Sequence, residues 1–562
     1  MDDASLKILQ TGNEEECGKV LSDFVKQNGQ TFAFPDSGIE KKQQFINEIF
    51  KFLRSSSSQN HCVCLQATRI LTRDKVGLDQ LFTQEHINTL IYLAGLVIDG
   101  EEILEQSQNQ NIPVIVEAQK CLCNLIYNCR SAQRICSMNG CVEGIMLRLR
   151  TYQDFQFPHD VKFFDMRMLF LLTALCAEIR PKLRNNLHGT IYLMEVLDLI
   201  LKCNAERLLE QNLHHKKEGK KRYSRGSRKQ KGNKCFPDAE QYINPCLSVE
   251  EVDLACEVLK VLFNLTVNVD RYNLDEEEEA HFMRLVSILH DILLCDTSTV
   301  DKKNELHSHT VNLLTNMPTS SYEELLIPLT DIPIDKSDNK EHEYEGMSME
   351  VISVLLKFME NRLHKKTEIK ESLTPVLTCL CECARANRTI RKYLRIKVLP
   401  PLKDVMNRPE EGMTLRNRLV KLMTSPMTDV KELVAEFLFI LCKENVERLI
   451  KYTGYGNAAG LLTNHGLMQG RQGNARDYSS DSDDSDTEEY LKYKDKINPV
   501  SGCYEEPKPS PLEGMSEEQK EYEAMQLVNM MNKLTRDGIL QPMKVGDDGK
   551  PHPVEHVLEL RE

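Results

Sequence analysis

Three segments of the sequence place asparagine at positions i and i+4 within an apolar helical pattern. The pairs are Asn124 with Asn128, Asn264 with Asn268, and Asn312 with Asn316. Residues four apart share one face of a helix, so each pair predicts a short polar stripe beside the leucines of a core. Such amides can bond the main chain of a bound peptide. Alternatively, they satisfy backbone groups of neighbouring repeats, and the sequence leaves both interpretations open.

Arginines form a second pair with the same spacing, Arg69 and Arg73. Two guanidinium groups on one helix face can clamp a carboxylate, for example a chain terminus. The alternative is a solvated helix face. Arg362 belongs to another basic cluster, which follows an apolar helix and can be explained by the preference of cations for helix C-termini.

The acidic segment near residue 480 carries two candidate phosphorylation sites. Ser480 has Asp483 three residues later, and Ser485 has Glu488 at the same distance. This spacing suits an acid-directed protein kinase, which we predict as a partner, and each phosphate would add about −1.5 to −2 charges. The alternative is a plain solvated linker.

Motifs for covalent chemistry are missing from the sequence. It contains no GxxxxGK[ST], HExxH or GxSxG pattern, and its CxC pairs point to different sides of a helix, which is poor geometry for a shared metal ion. We expect no enzyme activity, no metal and no cofactor. The basic insert at about 214–235 interleaves lysines with Gly, Ser and Gln, so a disordered surface loop is expected and nucleic acid is not a predicted partner.

Composition indicates the elements that position these residues. Hydrophobic residues make up 41%, charged residues 28%, and Trp is absent, which favours an all-α fold. Helical periods recurring at roughly 40 residues predict an armadillo/HEAT-type helical solenoid over residues 1–470, with a polar insert at about 327–345. Cysteines within apolar helices and the lack of an 18-residue apolar run favour a cytoplasmic, monomeric protein without a membrane span.

The C-terminal part of the sequence has a different character. Residues 471–510 are predicted to be a disordered acidic linker, because glycines precede them and acidic residues dominate. Residues 511–562 form a tail with one amphipathic helix at about 517–536, for which Ser516 is the predicted N-cap. Its apolar stripe includes Leu527, Val528 and Met531, and this stripe needs a partner to cover it.

Several motifs together resemble the synembryn family, which comprises cytosolic chaperones and guanine-nucleotide exchange factors of heterotrimeric G-protein α subunits. They include RILTRDK (69–75), KCLCNLIYN (120–128), KYTGYGNAAGLL (451–462) and EEQKEYEAMQLVNMMNKLTR (517–536). The resemblance spans nearly the whole chain. Two departures stand out: the acidic run has one extra residue and more serines, and the basic insert is unlike the family.

The resemblance implies a mechanism and a set of contacts. The solenoid would bind the C-terminal helix of the nucleotide-free α subunit, with Arg69, Arg73 and Asn124 near the end of that helix. The helix at 517–536 would pack on the nucleotide-binding domain, and phosphates near Ser480 and Ser485 would dock on the solenoid. Such a protein is expected in the cytoplasm, with association at the cell cortex or plasma-membrane periphery. The rival hypotheses are a generic armadillo adaptor without nucleotide exchange, and an enzyme.

Overall fold

The computed structural model describes residues 3–34, 38–55, 60–96, 111–152, 157–203, 246–331, 342–364, 369–469, 486–506 and 511–554. The predicted basic insert and the candidate phosphorylation sites Ser480 and Ser485 therefore lie outside the described residues. The chain divides into two compact units, Met1–Pro318 and Thr319–Glu562. The predicted division at residue 470 falls within the second unit, which also includes the predicted tail, residues 511–562.

The first unit is built from helices of three to nineteen residues. They are α1 (Asp3–Thr11), α2 (Glu14–Asn28), α3 (Ile39–Arg54), α4 (His61–Leu71), α5 (Leu78–Leu81), α6 (Gln84–Leu93), α7 (Ile112–Asn128), α8 (Arg130–Met138), α9 (Cys141–Arg150), α10 (His159–Leu175), α11 (Ile179–Pro181), α12 (189–203), α13 (Val249–Thr266), α14 (Glu276–Leu294) and α15 (Val300–Leu314). A π-helical turn, Lys182–Asn186, joins α11 to α12, and the short strands β1 (Cys246–Leu247) and β2 (Asp296–Thr297) pair in parallel.

Helices of the first unit stack in two layers. One layer is the series α2, α4, α7, α10, α13 and α15, in which each helix packs on the next, while α3, α6, α8 and α14 cover it from the other side. Side-chain caps set several helix starts: Ser248 and Glu251 form a capping box at α13, and Asp275 and Thr299 cap α14 and α15. This repeated stacking confirms the predicted armadillo/HEAT-type all-α fold.

A buried polar network crosses the core of the first unit. Arg148 on α9 and Asp165 on α10 are almost fully buried and form an ion pair with Nη1 and Oδ1 3.1 Å apart. Asp165 also accepts hydrogen bonds from Gln119 Nε2 at 2.7 Å and from the Tyr152 hydroxyl at 3.0 Å. Arg148 Nη2 donates to the carbonyl of Ala94. The network therefore joins α7, α9 and α10 through one ion pair and several hydrogen bonds.

The second unit has its own helical core. Its helices are α16 (Glu350–His364), α17 (Ile369–Ala386), α18 (Arg388–Val398), α19 (Leu415–Leu422), α20 (Thr428–Leu441), α21 (Val446–Thr453), α22 (Tyr455–Asn464), α23 (Glu488–Tyr493) and α24 (Glu517–Arg536), with short 3-10 turns at Thr319–Leu325, Leu329–Asp331 and Lys494–Lys496. Helix α17 packs against α16, α18 and α20, and α22 packs against α20 and α21.

Small antiparallel sheets replace part of the predicted irregular structure. The ends of the polar insert at 327–345 form β3 (Ile327–Pro328) and β4 (Glu343–Tyr344), which flank β5 (Met347–Ser348) in a three-stranded sheet. Residues 332–341 of that insert lie outside the described residues. Paired strands therefore pin both ends of the insert next to α16.

The prediction of a disordered linker over 471–510 is wrong for residues 486–506. They form α23 and a hairpin of β6 (Ile497–Asn498) and β7 (Cys503–Tyr504). The Tyr455 amide donates to the Pro499 carbonyl at 2.8 Å, and the Gly456 amide donates to the Val500 carbonyl at 2.9 Å. The physical reason is the pair of glycines at the start of α22, Gly454 and Gly456, which lets the hairpin backbone approach closely.

Gly454 shows why this approach needs glycine. It has φ +75°, and a Cβ placed there would lie 3.1 Å from backbone atoms of residues 500–502. A second hairpin, β8 (Met543–Val545) with β9 (Pro551–Pro553), docks in a similar way: the Met468 amide bonds the Gly549 carbonyl, and Gln469 Nε2 bonds the Gly546 carbonyl at 2.8 Å. The glycines predicted to loosen the backbone instead admit close contacts.

Candidate functional site: the inner wall of the first unit

Asparagines on or just after the stacked helices α7, α13 and α15 bond the ends of the preceding helices α4, α10 and α13, and we call the face of the stack that carries them the inner wall. Asn124 Nδ2 donates to the Thr72 hydroxyl at 3.1 Å and the Arg69 carbonyl at 3.3 Å. The other copies repeat this geometry, with Asn264 on Thr173 and the Phe170 carbonyl, and Asn316 on Thr266 and the Phe263 carbonyl. We call each such bond an asparagine staple, and it satisfies polar groups in the last turn of the preceding helix or just beyond it.

The staples show which asparagine of each sequence pair occupies the equivalent position in the fold. The structural equivalent of Asn124 and Asn264 is Asn316, whereas the spacing of the pairs aligns Asn312 with them. Asn312 is half-buried and Asn268 is exposed, while Asn128 donates to the Thr72 carbonyl at 3.4 Å. The amide nitrogens of the three stapling residues thus bond groups of neighbouring repeats, which is the second of the two interpretations that the sequence left open. A role for any of these asparagines in partner binding stays a prediction.

Charged clusters accompany two of the staples, each centred on a glutamate about two helical turns before the stapling asparagine. Glu117 on α7 pairs with Arg69 Nε at 2.8 Å and with Lys120 Nζ at 2.9 Å. Glu257 on α13 pairs in the same way with Arg167 at 2.8 Å and Lys260 at 2.6 Å. Each cluster joins two cations to one carboxylate and so carries a net charge of +1.

The end of α4 presents cations together with exposed aromatic rings. The Arg73 guanidinium lies 5.3 Å from the ring centre of Phe32, and Lys75 Nζ lies 5.6 Å from that of Tyr127. Phe32 is 66% exposed and Tyr127 is 61% exposed. We call this set, Phe32, Arg69, Arg73, Lys75 and Tyr127, the basic-aromatic surface. Exposed aromatic and arginine side chains of this kind are enriched in binding interfaces.

The two arginines lie four residues apart, so their charges act on each other. Burial lowers the pKa of Arg73, the charge of Arg69 lowers it further, and the charge of Glu117 raises it. Arg73 Nη1 donates to the Gly29 carbonyl at 2.8 Å, which fixes the side chain against the end of α2. Two like charges held close together are relieved by an anion, so this surface suits a carboxylate.

Other predicted site residues lie in the second unit. Arg362, near the end of α16, places its guanidinium 4.6 Å from the Phe358 ring centre, and burial lowers its pKa. Leu527, Val528 and Met531 lie on α24, none of whose residues is buried. Helix α24 spans the predicted range, and Ser516 forms its capping box with Gln519.

Residues next to the acidic run contact the second unit directly. Asp486 pairs with Lys451 on α21 and with Lys494, and these partners lower its pKa, with the Lys451 bond contributing most. Thr487 caps α23 and its hydroxyl also bonds the Leu402 carbonyl. The chain immediately after Ser485 is therefore held against two lysines.

Sequence reasoning missed several residues of the inner wall. The stapled threonines, Thr72, Thr173 and Thr266, each follow a leucine near the end of a stacked helix. That recurring Leu-Thr step was a usable signal beside the asparagines. Phe32, Lys75 and Tyr127 gave no comparable signal, because their proximity to the arginines depends on contacts between separate helices.

Stacked helices, asparagine staples and a wall with repeated net positive charge define an armadillo/HEAT-type helical-repeat protein. The family described as "Guanine nucleotide exchange factor synembryn" matches residues 64–550. The chain is 42% identical over 555 residues to a Xenopus tropicalis protein named "Chaperone Ric-8A", covering 99% of this chain and 96% of that relative. It is 40% identical over 570 residues to the Danio rerio protein of the same name, with coverage of 99% and 96%. The chain belongs to the synembryn family.

Similarity to solved structures is more distant. An engineered protein superposes with a TM-score of 0.45 at 13% identity, covering 83% of this chain and 84% of that one. A likeness at this level carries no argument about function. Among the described residues, no helix combines the length and apolar character that crossing a bilayer requires.

Proposed function

We propose that this protein is a guanine-nucleotide exchange factor and folding chaperone for heterotrimeric G-protein α subunits, and that it acts by binding without covalent chemistry. The observation that carries the proposal is the basic-aromatic surface in a member of the synembryn family. Its arginines provide bidentate donors for a carboxylate, and Phe32 and Tyr127 provide apolar surface for the adjoining residues. The C-terminal helix of an α subunit offers both.

The exchange mechanism follows from linkage between two ligands. If the protein binds the nucleotide-free α subunit more tightly than the loaded one, nucleotide binding must weaken by the same factor. The same preference stabilises an empty, incompletely folded α subunit by mass action. One binding preference therefore gives both exchange and chaperone activity. In this proposal α24 contacts the nucleotide-binding domain, because Leu527 is exposed and Val528 and Met531 are only half-buried.

The test is GDP release from purified α subunits, measured with labelled nucleotide and followed by sizing chromatography. We expect faster release and a nucleotide-free complex that a GTP analogue dissolves. The double variant Arg69→Ala, Arg73→Ala should weaken binding of a peptide taken from the C-terminus of an α subunit by about 2–4 kcal/mol. Arg134→Ala, on the exposed side of α8, is the matched control and should bind normally.

Three results would overturn the proposal. Peptide binding that is insensitive to guanine nucleotide would instead favour the generic armadillo adaptor. Unchanged affinity in the double arginine variant would move the contact away from the basic-aromatic surface. Turnover of a small substrate by the protein alone would favour an enzyme.

We further propose that an acid-directed kinase acts on the run containing Ser480 and Ser485 in the cytoplasm or at the cell cortex. Support comes from Lys451 and Lys494, which already hold Asp486 beside the end of that run. Phosphates there should raise the melting temperature of the protein, and Lys451→Ala should abolish the rise. No thermal response to phosphorylation would leave the run as a plain linker.

A further inference from the structure

Three side chains with metal-binding donors converge between α13 and α15. Cys256 lies on α13, and Glu305 and His309 lie four residues apart on one face of α15. Their ligand atoms all lie within 4.8 Å of one another. With Zn–S near 2.3 Å and Zn–N or Zn–O near 2.0 Å, ligand atoms of a tetrahedral site are about 3.3–3.8 Å apart. Side-chain shifts of about 1 Å would therefore bring all three to one ion.

The donor set is selective in its chemistry. A thiolate, an imidazole and a carboxylate are the ligands that zinc takes in proteins, whereas magnesium and calcium prefer oxygen alone. Cys256 is only 2% exposed, His309 is half-buried and Glu305 is exposed. The three ligands thus run from the interior to the surface, and an ion can enter at Glu305.

Zinc binds cysteine as a thiolate, so an ion held by Cys256 displaces the thiol proton, which passes to solvent. Metal affinity at this cluster therefore depends on pH.

Lys302 orients the carboxylate of this cluster. Its Nζ lies 2.8 Å from Glu305 Oε2 and also pairs with Asp253. A carboxylate has two oxygens, so one can remain bonded to Lys302 while the other binds a metal. Such hydrogen-bonded partners commonly fix the orientation of metal ligands.

We propose that Cys256, Glu305 and His309 form a binding site for one Zn²⁺ ion, which ties α13 to α15. Three protein ligands leave one coordination position for water or for a group from a partner. The same two helices are also joined by the staple from Asn316 to Thr266, so the ion would reinforce an existing contact between adjacent repeats. The proposal does not depend on the proposed exchange function. The sequence alone gave the expectation of no metal, because the three proposed ligands come from two helices.

The test uses the full chain, stripped with a chelator and then titrated with Zn²⁺ or with Co²⁺ as a spectroscopic probe. We expect one ion per chain, a thiolate-to-cobalt charge-transfer band, release of a proton, and a melting temperature raised by about 2 °C or more. Mg²⁺ should give none of these responses. His309→Gln and Glu305→Gln should each weaken zinc binding at least tenfold.

Matched variants separate this site from other surface donors. His281→Gln on α14 and Cys62→Ser on α4 should bind zinc like the parent chain. His309→Gln and Glu305→Gln keep Cys256 in the core, so a folding defect of a Cys256→Ser variant would not decide the result. Binding that persists unchanged in both variants, a cobalt complex without the thiolate band, or no bound zinc would overturn the proposal.

Discussion

The inner wall of the first unit and helix α24 of the second unit differ in the contacts of their side chains: those of the wall bond neighbouring helices, whereas none of those on α24 is buried. On the wall, Asn124, Asn264 and Asn316 donate hydrogen bonds from their amide nitrogens to neighbouring helices. The glutamate of each charged cluster pairs with the cations around it. On α24 no residue is buried, and Leu527 and Met530 are 59% and 61% exposed. The stapling amides of the wall are already hydrogen-bonded within the chain, whereas α24 carries apolar area that a partner would remove from water.

This difference separates the two contacts proposed with an α subunit, one through the wall and one through α24. A preformed wall can recognise a partner's carboxylate with little rearrangement, which limits the entropy lost on binding. An exposed amphipathic helix contributes only when a second surface covers it. Substitutions on the wall should therefore affect stability and binding together, while substitutions on α24 should affect binding alone.

The largest loss of stability should come from the network behind the wall. Asp165→Ala leaves the guanidinium of Arg148 charged in the core without its partner, and we expect the free energy of unfolding to fall by about 3–5 kcal/mol. Urea denaturation followed by circular dichroism measures this. Glu517→Ala removes an exposed pair with Lys520 and should change stability by less than about 0.5 kcal/mol. Equal losses would contradict the contrast between wall and tail.

Acid should weaken the first unit through His307 on α15. Burial, together with the charge of Lys303, lowers the pKa of His307 from 6.5 to about 4. As pH falls below 6.5 the unfolded chain takes up this proton first, so stability is lost between pH 6.5 and 4, by about 3 kcal/mol in total. Denaturation across this range should show a smaller slope for His307→Gln. The exposed His552→Gln is the control, and an unchanged slope in the His307 variant would exclude this residue as the cause.

Removing one asparagine staple should cost less than removing the buried ion pair. Asn264→Ala deletes the bonds to Thr173 and the Phe170 carbonyl, and we expect a loss of about 1–3 kcal/mol. Asn268→Ala changes the exposed member of the same sequence pair and should have almost no effect. If both variants lose similar stability, the staple is not what distinguishes them.

Local pattern was enough to predict the helices and the existence of polar stripes. Helix α24 was predicted to the residue because its N-cap, charged first turn and apolar period all lie within twenty positions. The Asn124 and Asn264 stripes were predicted for the same reason. Which asparagine near the end of α15 aligns with them was not predicted, because the answer depends on a threonine of another helix, Thr266.

Long-range packing explains what sequence reasoning missed. Gly454 and Gly466 suggested a loose backbone, but each instead allows a hairpin from elsewhere in the chain to approach closely. Phe32 likewise contacts Arg73 only because the folded chain brings two separate segments together. Glycine and exposed aromatic residues have no periodic pattern that identifies their partners, so only the folded chain does.

The smallest effect on stability, and the sharpest test of the comparison, should come from Leu527 on α24. Leu527→Ser removes an exposed side chain and should change the free energy of unfolding by less than about 0.5 kcal/mol. If α24 docks on an α subunit, the same change removes apolar contact area and should weaken the nucleotide-free complex about tenfold, as measured by calorimetry. Asn529→Ser, on the opposite side of the helix, is the matched control.

Each outcome for Leu527 assigns α24 a different role. Lower affinity at unchanged stability would make the exposed stripe a binding surface that the fold does not need. Lower stability would mean that Leu527 packs within this chain, which its exposure argues against. Unchanged affinity would leave recognition to the inner wall, so that α24 contributes no direct contact and the basic-aromatic surface accounts for binding alone.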